Sequence, residues 1–193
     1  MIEQFQQYFI NLNREVPVPA SVFEGLLSIF VVGLVLFVAF KGVKNGLRYS
    51  SGLLLLEFIF LLLCYTVIFR IPFSEAKYNF HPFWSYVAIQ EGREDLLPEN
   101  IMNVVGFLPV GFLLGVSLRG KKEDLRWKSG WLIAFLVGLC ISVSIEALQY
   151  FTHRGFSEFD DVFHNTLGTI IGYGLWIVVN VFIVKVKNNS IYV

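Results

Sequence analysis

Five long apolar runs, at about 22–40, 51–69, 101–118, 130–151 and 162–184, constrain this chain more than any other feature. A helix rising about 1.5 Å per residue needs roughly 20 residues to cross the hydrocarbon layer of a bilayer, and each run approaches or reaches that length. Backbone groups in lipid must be satisfied within the protein, so the runs read as helices. A membrane barrel would show alternation of apolar and polar residues, which they lack. The composition agrees: 55% of residues are apolar and 16% are charged, against roughly 25% charged in a soluble domain. That balance excludes a disordered tail, a collagen-like fibre and a nucleic-acid-binding module. The expected fold is an all-α integral membrane protein, a bundle of about five transmembrane helices. A single membrane domain over 22–184 would be flanked by an outer interfacial segment, 1–21, and a cytoplasmic tail, 185–193.

The net charge is zero, but its distribution is uneven. Lys41, Lys44, Arg48, Arg119, Lys121, Lys122, Arg126, Lys128, Lys185 and Lys187 follow the first, third and fifth runs, whereas Arg14, Arg70, Lys77, Arg93 and Arg154 fall on the other side. By the positive-inside rule the N-terminus lies outside and the C-terminus in the cytoplasm. Residues 1–20 lack a basic start and carry Glu3 and Glu15, which argues against a cleaved signal peptide. Phe5, Tyr8, Phe9 and Leu12 have helical spacing, so this segment reads either as a short helix on the outer interface or as a polar tail. The long segment 70–100 contains Phe83, Trp84 and Tyr86, residue types that anchor at the headgroup level, and is expected to lie on the interface. Cys64 and Cys140, each inside an apolar run, are expected as free thiols.

Polar side chains inside spans are costly and mark functional candidates. Here they gather at one depth: Arg70 ends the second span, Asn100 and Asn103 open the third, Glu146 and Gln149 close the fourth, and Asp161, His164 and Asn165 open the fifth. Glu146, Gln149 and His153 share one helical face if the helix continues that far. Asp161, Asn165, Gly168 and Gly172 share another, and its glycines would let a neighbouring helix approach closely. Asp160 or Asp161 can cap the fifth span. Glu146 needs a partner, for which Arg154 and Arg70 are the candidates; as a bare ion pair it would only pin two helices together. Pro109 is expected to kink the third span, and Glu57, in the second span, is expected to reach toward water.

No HExxH, GxSxG, P-loop or GxGxxG motif occurs, so the sequence offers none of the usual signals for zinc proteolysis, α/β hydrolysis or nucleotide binding. His81, His153 and His164 have no tight spacing with acids, and neither a metal nor another cofactor is expected.

The segment Asn103 to Phe112 (NVVGFLPVGF), the run Ser144 to Gln149 (SIEALQ), Arg154, and the stretch Asp160 to Gly168 (DDVFHNTLG) together resemble the VanZ-like family. The likeness extends over about 53–174 and includes Arg70 with Pro82 and Phe83. The family's polar signature falls on Asn103, Pro109, Gly111, Glu146, Gln149, Arg154, Asp161, Asn165 and Gly168; His164 occupies a position more often apolar in the family. The resemblance implies a cell-envelope protein associated with resistance to lipid-bearing glycopeptide antibiotics such as teicoplanin. It supplies no reaction.

Two readings of the polar cluster follow. In the first, an outer-leaflet polar cavity binds or alters a membrane lipid or lipid-linked envelope precursor, or the lipoglycopeptide antibiotic itself. Arg154 and Arg70 would then contact anionic groups, and Asn103, Gln149, Asn165 and His164 would contribute hydrogen bonds. In the second, an integral membrane transferase or hydrolase uses Glu146 and Asp161 as acid and base, with Arg154 stabilising developing negative charge. Nucleic acid has no place in either, and the oligomeric state is open.

Overall fold

The computed structural model describes residues 18–118 and 126–189. Helix α1 (Ala20–Leu63) is two antiparallel helices joined at Gly42, whose φ of 73° a side chain would resist. Their pairing is visible in Phe23 against Tyr65, Gly33 against Leu53 and Phe37 against Tyr49. A five-residue π-turn (Cys64–Ile68) ends the second arm. Strand β1 (Lys77–Asn79) and the short helix α2 (Trp84–Gln90) occupy the long connection, followed by α3 (Leu96–Ser117), α4 (Arg126–Thr152), β2 (Phe156–Glu158) and α5 (Phe159–Asn189).

Five helical segments are long and apolar enough to cross a membrane: Ala20–Val43, Asn45–Ile68, Leu96–Ser117, Ser129–Thr152 and Phe159–Ile183. The expected all-α architecture is therefore present, with one addition: β1 and β2 form a small parallel pair, Lys77 opposite Phe156 and Asn79 opposite Glu158. Large apolar side chains such as Phe40, Leu56, Val178 and Phe182 face outward, as expected where the surrounding solvent is lipid.

The bundle is organised around α3 and α5, whose backbones nearly touch. A Cβ placed on Gly168 would strike the Val104 carbonyl, one on Gly172 the Leu108 carbonyl, and one on Gly111 the Thr169 carbonyl. Lipid supplies no hydrophobic drive between helices, so close backbone approach and dispersion hold them together. The glycine face of the fifth span thus packs as its spacing predicts. α3 continues through Pro109 as one helix. Phe107, Val110, Leu114, Ile145 and Tyr173 form the buried core. Cys64 and Cys140 are free thiols. Glu57 does not reach water: it is buried, and its Oε1 has no hydrogen-bond partner among the described residues. The N-terminal segment through residue 17, the loop carrying Arg119, Lys121 and Lys122, and residues 190–193 lie outside the described residues.

Candidate functional site

The site begins with the π-turn. A π-turn shifts the helical register, and a helix C-terminus in any case leaves carbonyls without backbone donors. Three carbonyls of this turn receive side-chain donors: Tyr65 from Arg70 Nε at 3.2 Å, Thr66 from Gln149 Nε2 at 3.2 Å, and Ile68 from Arg154 Nη1. Two cations at a helix C-terminus also suit the negative end of its dipole. Arg70, Gln149 and Arg154 are thus brought together, with backbone oxygens as their partners.

α4 stops at Thr152, and the chain reverses through His153 (φ 56°) and Gly155 (φ 95°). His153 therefore leaves the helical face it would share with Glu146 and Gln149 had α4 continued. Gly155 lies against Gln149, where a Cβ would collide with its amide. The reversal lays β2 back over α4: Glu158 N–H donates to Glu146 Oε2 at 2.8 Å, and Ser157 Oγ donates to the Glu146 carbonyl at 3.0 Å. The expected ion pair of Glu146 with Arg154 or Arg70 does not form. An ion pair does form between Arg93 and Asp95, at 2.9 Å on the surface. The reason is local, since β2 delivers a backbone donor to the carboxyl while both arginines are drawn to the π-turn. Arg70 is still within electrostatic range of Glu146 and Asp161.

The remaining candidates form side-chain pairs between helices. Asn103 Nδ2 donates to Asp161 Oδ1 at 2.7 Å, linking α3 to α5, and Asn165 Nδ2 donates to Ser142 Oγ at 2.9 Å, linking α5 to α4. His164 Nε2 lies 2.7 Å from the Tyr86 hydroxyl. Asp160, fully buried, caps an element other than its own: its carboxylate accepts from the backbone N–H groups of Phe83 and Ser85 and from Ser85 Oγ, satisfying the N-terminus of α2. Asn100 donates to the same Ser85 hydroxyl at 3.0 Å. Sequence reasoning missed Ser85, Tyr86, Ser142 and Glu158 as members of the cluster. Ser142 was findable, because it lies four residues before Glu146 on the same helical face. The others sit in connections whose path no periodicity encodes.

Two recesses open among these groups. The larger, about 350 Å³, is walled mainly by apolar groups of Phe80, Val143, Ala147, Tyr150, Phe151, Phe159 and Val162, with Glu146, Ser157 and Glu158 beside them. Glu158 is 5% exposed and its Oε1 has no partner. Burial, reinforced by the nearby carboxyls of Asp161, Glu99 and Asp160, pushes its pKa up to about 9, so it is protonated at neutral pH. The smaller recess, about 240 Å³, is lined by Arg70, Ile71, Phe73 and Gly155. Among the described residues no group of three His, Cys, Asp or Glu side chains is placed to hold a metal ion. The arrangement suits an amphipathic guest, with apolar walls for a chain and polar groups at one end. Asn103 and Asn165 engage neighbouring helices, Glu158 joins Glu146 on the wall of the larger recess, and Asp161 lies within electrostatic range of Glu146.

The VanZ/LLP1 family model matches residues 26–180. Protein VanZ of Enterococcus faecium is 26% identical over 153 residues, which cover 79% of this chain and 72% of that protein. No solved structure matches.

Proposed function

This chain belongs to the VanZ/LLP1 family, and we propose that it acts in the cell envelope by holding the apolar part of a surface lipid or lipid-linked precursor, thereby lowering susceptibility to lipid-bearing glycopeptide antibiotics. The observation that carries this reading is the recess of about 350 Å³, walled by Phe80, Val143, Tyr150, Phe151 and Phe159 and bounded by the Glu146 and Glu158 carboxyls. Its size and lining are those of a site for part of an amphipathic molecule. The basic residues of the connections after the first, third and fifth spans support placing the recess in the outer leaflet, with the N-terminus outside.

The second reading is an acid–base enzyme built on Glu146 and Asp161, whose carboxyls lie within electrostatic range of each other, with that of Asp161 held by Asn103. A susceptibility assay tests the proposal. In a susceptible Gram-positive host, the wild type should raise the inhibitory concentration of teicoplanin more than that of a glycopeptide lacking a lipid tail. Ala147→Phe, which fills the recess, should remove the effect at an equal membrane level. Equal protection by both proteins, or none by either, would refute it.

A further inference from the structure

The polar end of the bundle carries a second feature, which the apolar recess does not explain. Of the cations described there, Arg93 is spent on Asp95. Arg70, Lys77 and Arg154 form no ion pair with any described residue; Arg70 and Arg154 meet at the π-turn, and Lys77 stands over the Phe73 ring. Arg70 Nε is held by the Tyr65 carbonyl, which fixes the guanidinium, and no other acceptor among the described residues engages it. A guanidinium has five N–H donors in a planar fork, so four remain, and the group lines the recess of about 240 Å³ with Ile71, Phe73 and Gly155.

The rest of the wall is built to stay open. Phe73 N–H donates to the His153 carbonyl at 2.8 Å, tying the 70–77 connection to the turn after α4. Lys77 Nζ stands 3.9 Å from the Phe73 ring centroid, placing a second cation beside this wall. Gly155 has a φ of 95° and contacts Gln149, so neither its backbone nor the available space tolerates a side chain. The acids nearest Arg70 are occupied elsewhere, Glu146 by the Glu158 amide and Asp161 by Asn103.

A fixed, part-buried guanidinium with free donors, a neighbouring ammonium and no ion pair among the described residues is the chemistry of an oxyanion site. We propose that the Arg70–Phe73–Gly155 recess binds a phosphate oxyanion, with Arg70 as the direct ligand, Lys77 as supporting charge, and Arg154 as a strut that braces the π-turn. The inference rests on the lipid-binding reading above and gives that lipid its headgroup class, an anionic phosphate; a free phosphate would use the same donors.

The full chain in nanodiscs decides between the sources. One arm measures lipid co-purified after exposure to an equimolar phosphatidylglycerol and phosphatidylcholine mixture; the other measures thermal stabilisation by inorganic phosphate in phosphatidylcholine alone. The wild type should enrich phosphatidylglycerol severalfold. Arg70→Gln should abolish the enrichment, Arg70→Lys should restore part of it, and Lys77→Gln, an exposed substitution that leaves every described hydrogen bond intact, should reduce it. Stabilisation by inorganic phosphate that depends on Arg70, without lipid enrichment, would identify the free anion as the ligand. No preference in either arm, or a preference unchanged in Lys77→Gln and in whichever Arg70 variant folds, would overturn the inference. With no stabilisation by phosphate, lipid retained without headgroup preference would sink this inference and leave the lipid-binding reading standing, whereas no retained lipid would then sink both.

Discussion

Glu146 is a carboxyl deep in a membrane helix, where an arginine is the obvious partner. Its Oε2 is satisfied by a backbone N–H instead. Removing the acceptor leaves that buried amide unpaired, a cost of about 1–3 kcal/mol. Glu146→Ala should therefore lower the apparent Tm of the purified protein by several degrees, while Glu146→Gln, which keeps a carbonyl acceptor, should not. A pinning ion pair would make both variants equally damaging. Glu158 makes a second prediction. Its folded pKa, about 9, lies well above the ordinary glutamate value of 4.5, so protonation favours the folded state. The corresponding stability is fully present below about pH 4.5 and is lost as pH rises through about 9. Thermal unfolding followed from pH 5 to 9.5 should show this decline in the wild type and a flatter profile in Glu158→Gln. Parallel profiles would show that Glu158 ionises freely. The sequence revealed Glu146 as an anomaly but not its partner, because that partner exists only after the chain turns through His153 and Gly155.

At the scale of elements, the contact between α3 and α5 was legible in the spacing of Gly168 and Gly172, since small residues four apart mark one face of a membrane helix. Adding a methyl group there forces two backbones apart, a cost of at least about 1–3 kcal/mol for overpacking. Gly168→Ala and Gly172→Ala should each sharply reduce the yield of monodisperse protein, whereas Gly106→Ala, on α3 with nothing within 4 Å of a new Cβ, should behave as wild type. Similar losses for all three would mean that glycine acts through backbone flexibility. The π-turn and the β1·β2 pair were not legible. A π-turn differs from an α-turn by one residue of register, which an unbroken apolar run does not reveal. Three-residue strands are too short to show alternation. These elements place Arg70, Gln149, Arg154 and Glu158, so the sequence showed which residues gather at the polar end better than what each one touches.

For the whole molecule, five spans and a one-ended polar cluster imply a definite sidedness. In a background where Cys64 and Cys140 are replaced by Ala, Ser74→Cys should react with a membrane-impermeant maleimide in intact cells, and labelling only after permeabilisation would invert the proposed topology. In the proposed function the recess between α4, α5 and β2 holds a lipid chain without transforming it. Mass spectrometry of both the purified protein and the total envelope lipids, for the wild type, Glu146→Gln and Ala147→Phe at matched levels, tests that most directly. One lipid class should be retained by the wild type and Glu146→Gln and absent from Ala147→Phe, with an unchanged envelope pool. A new lipid species made by the wild type but not by Glu146→Gln, or equal retention in Ala147→Phe, would contradict it.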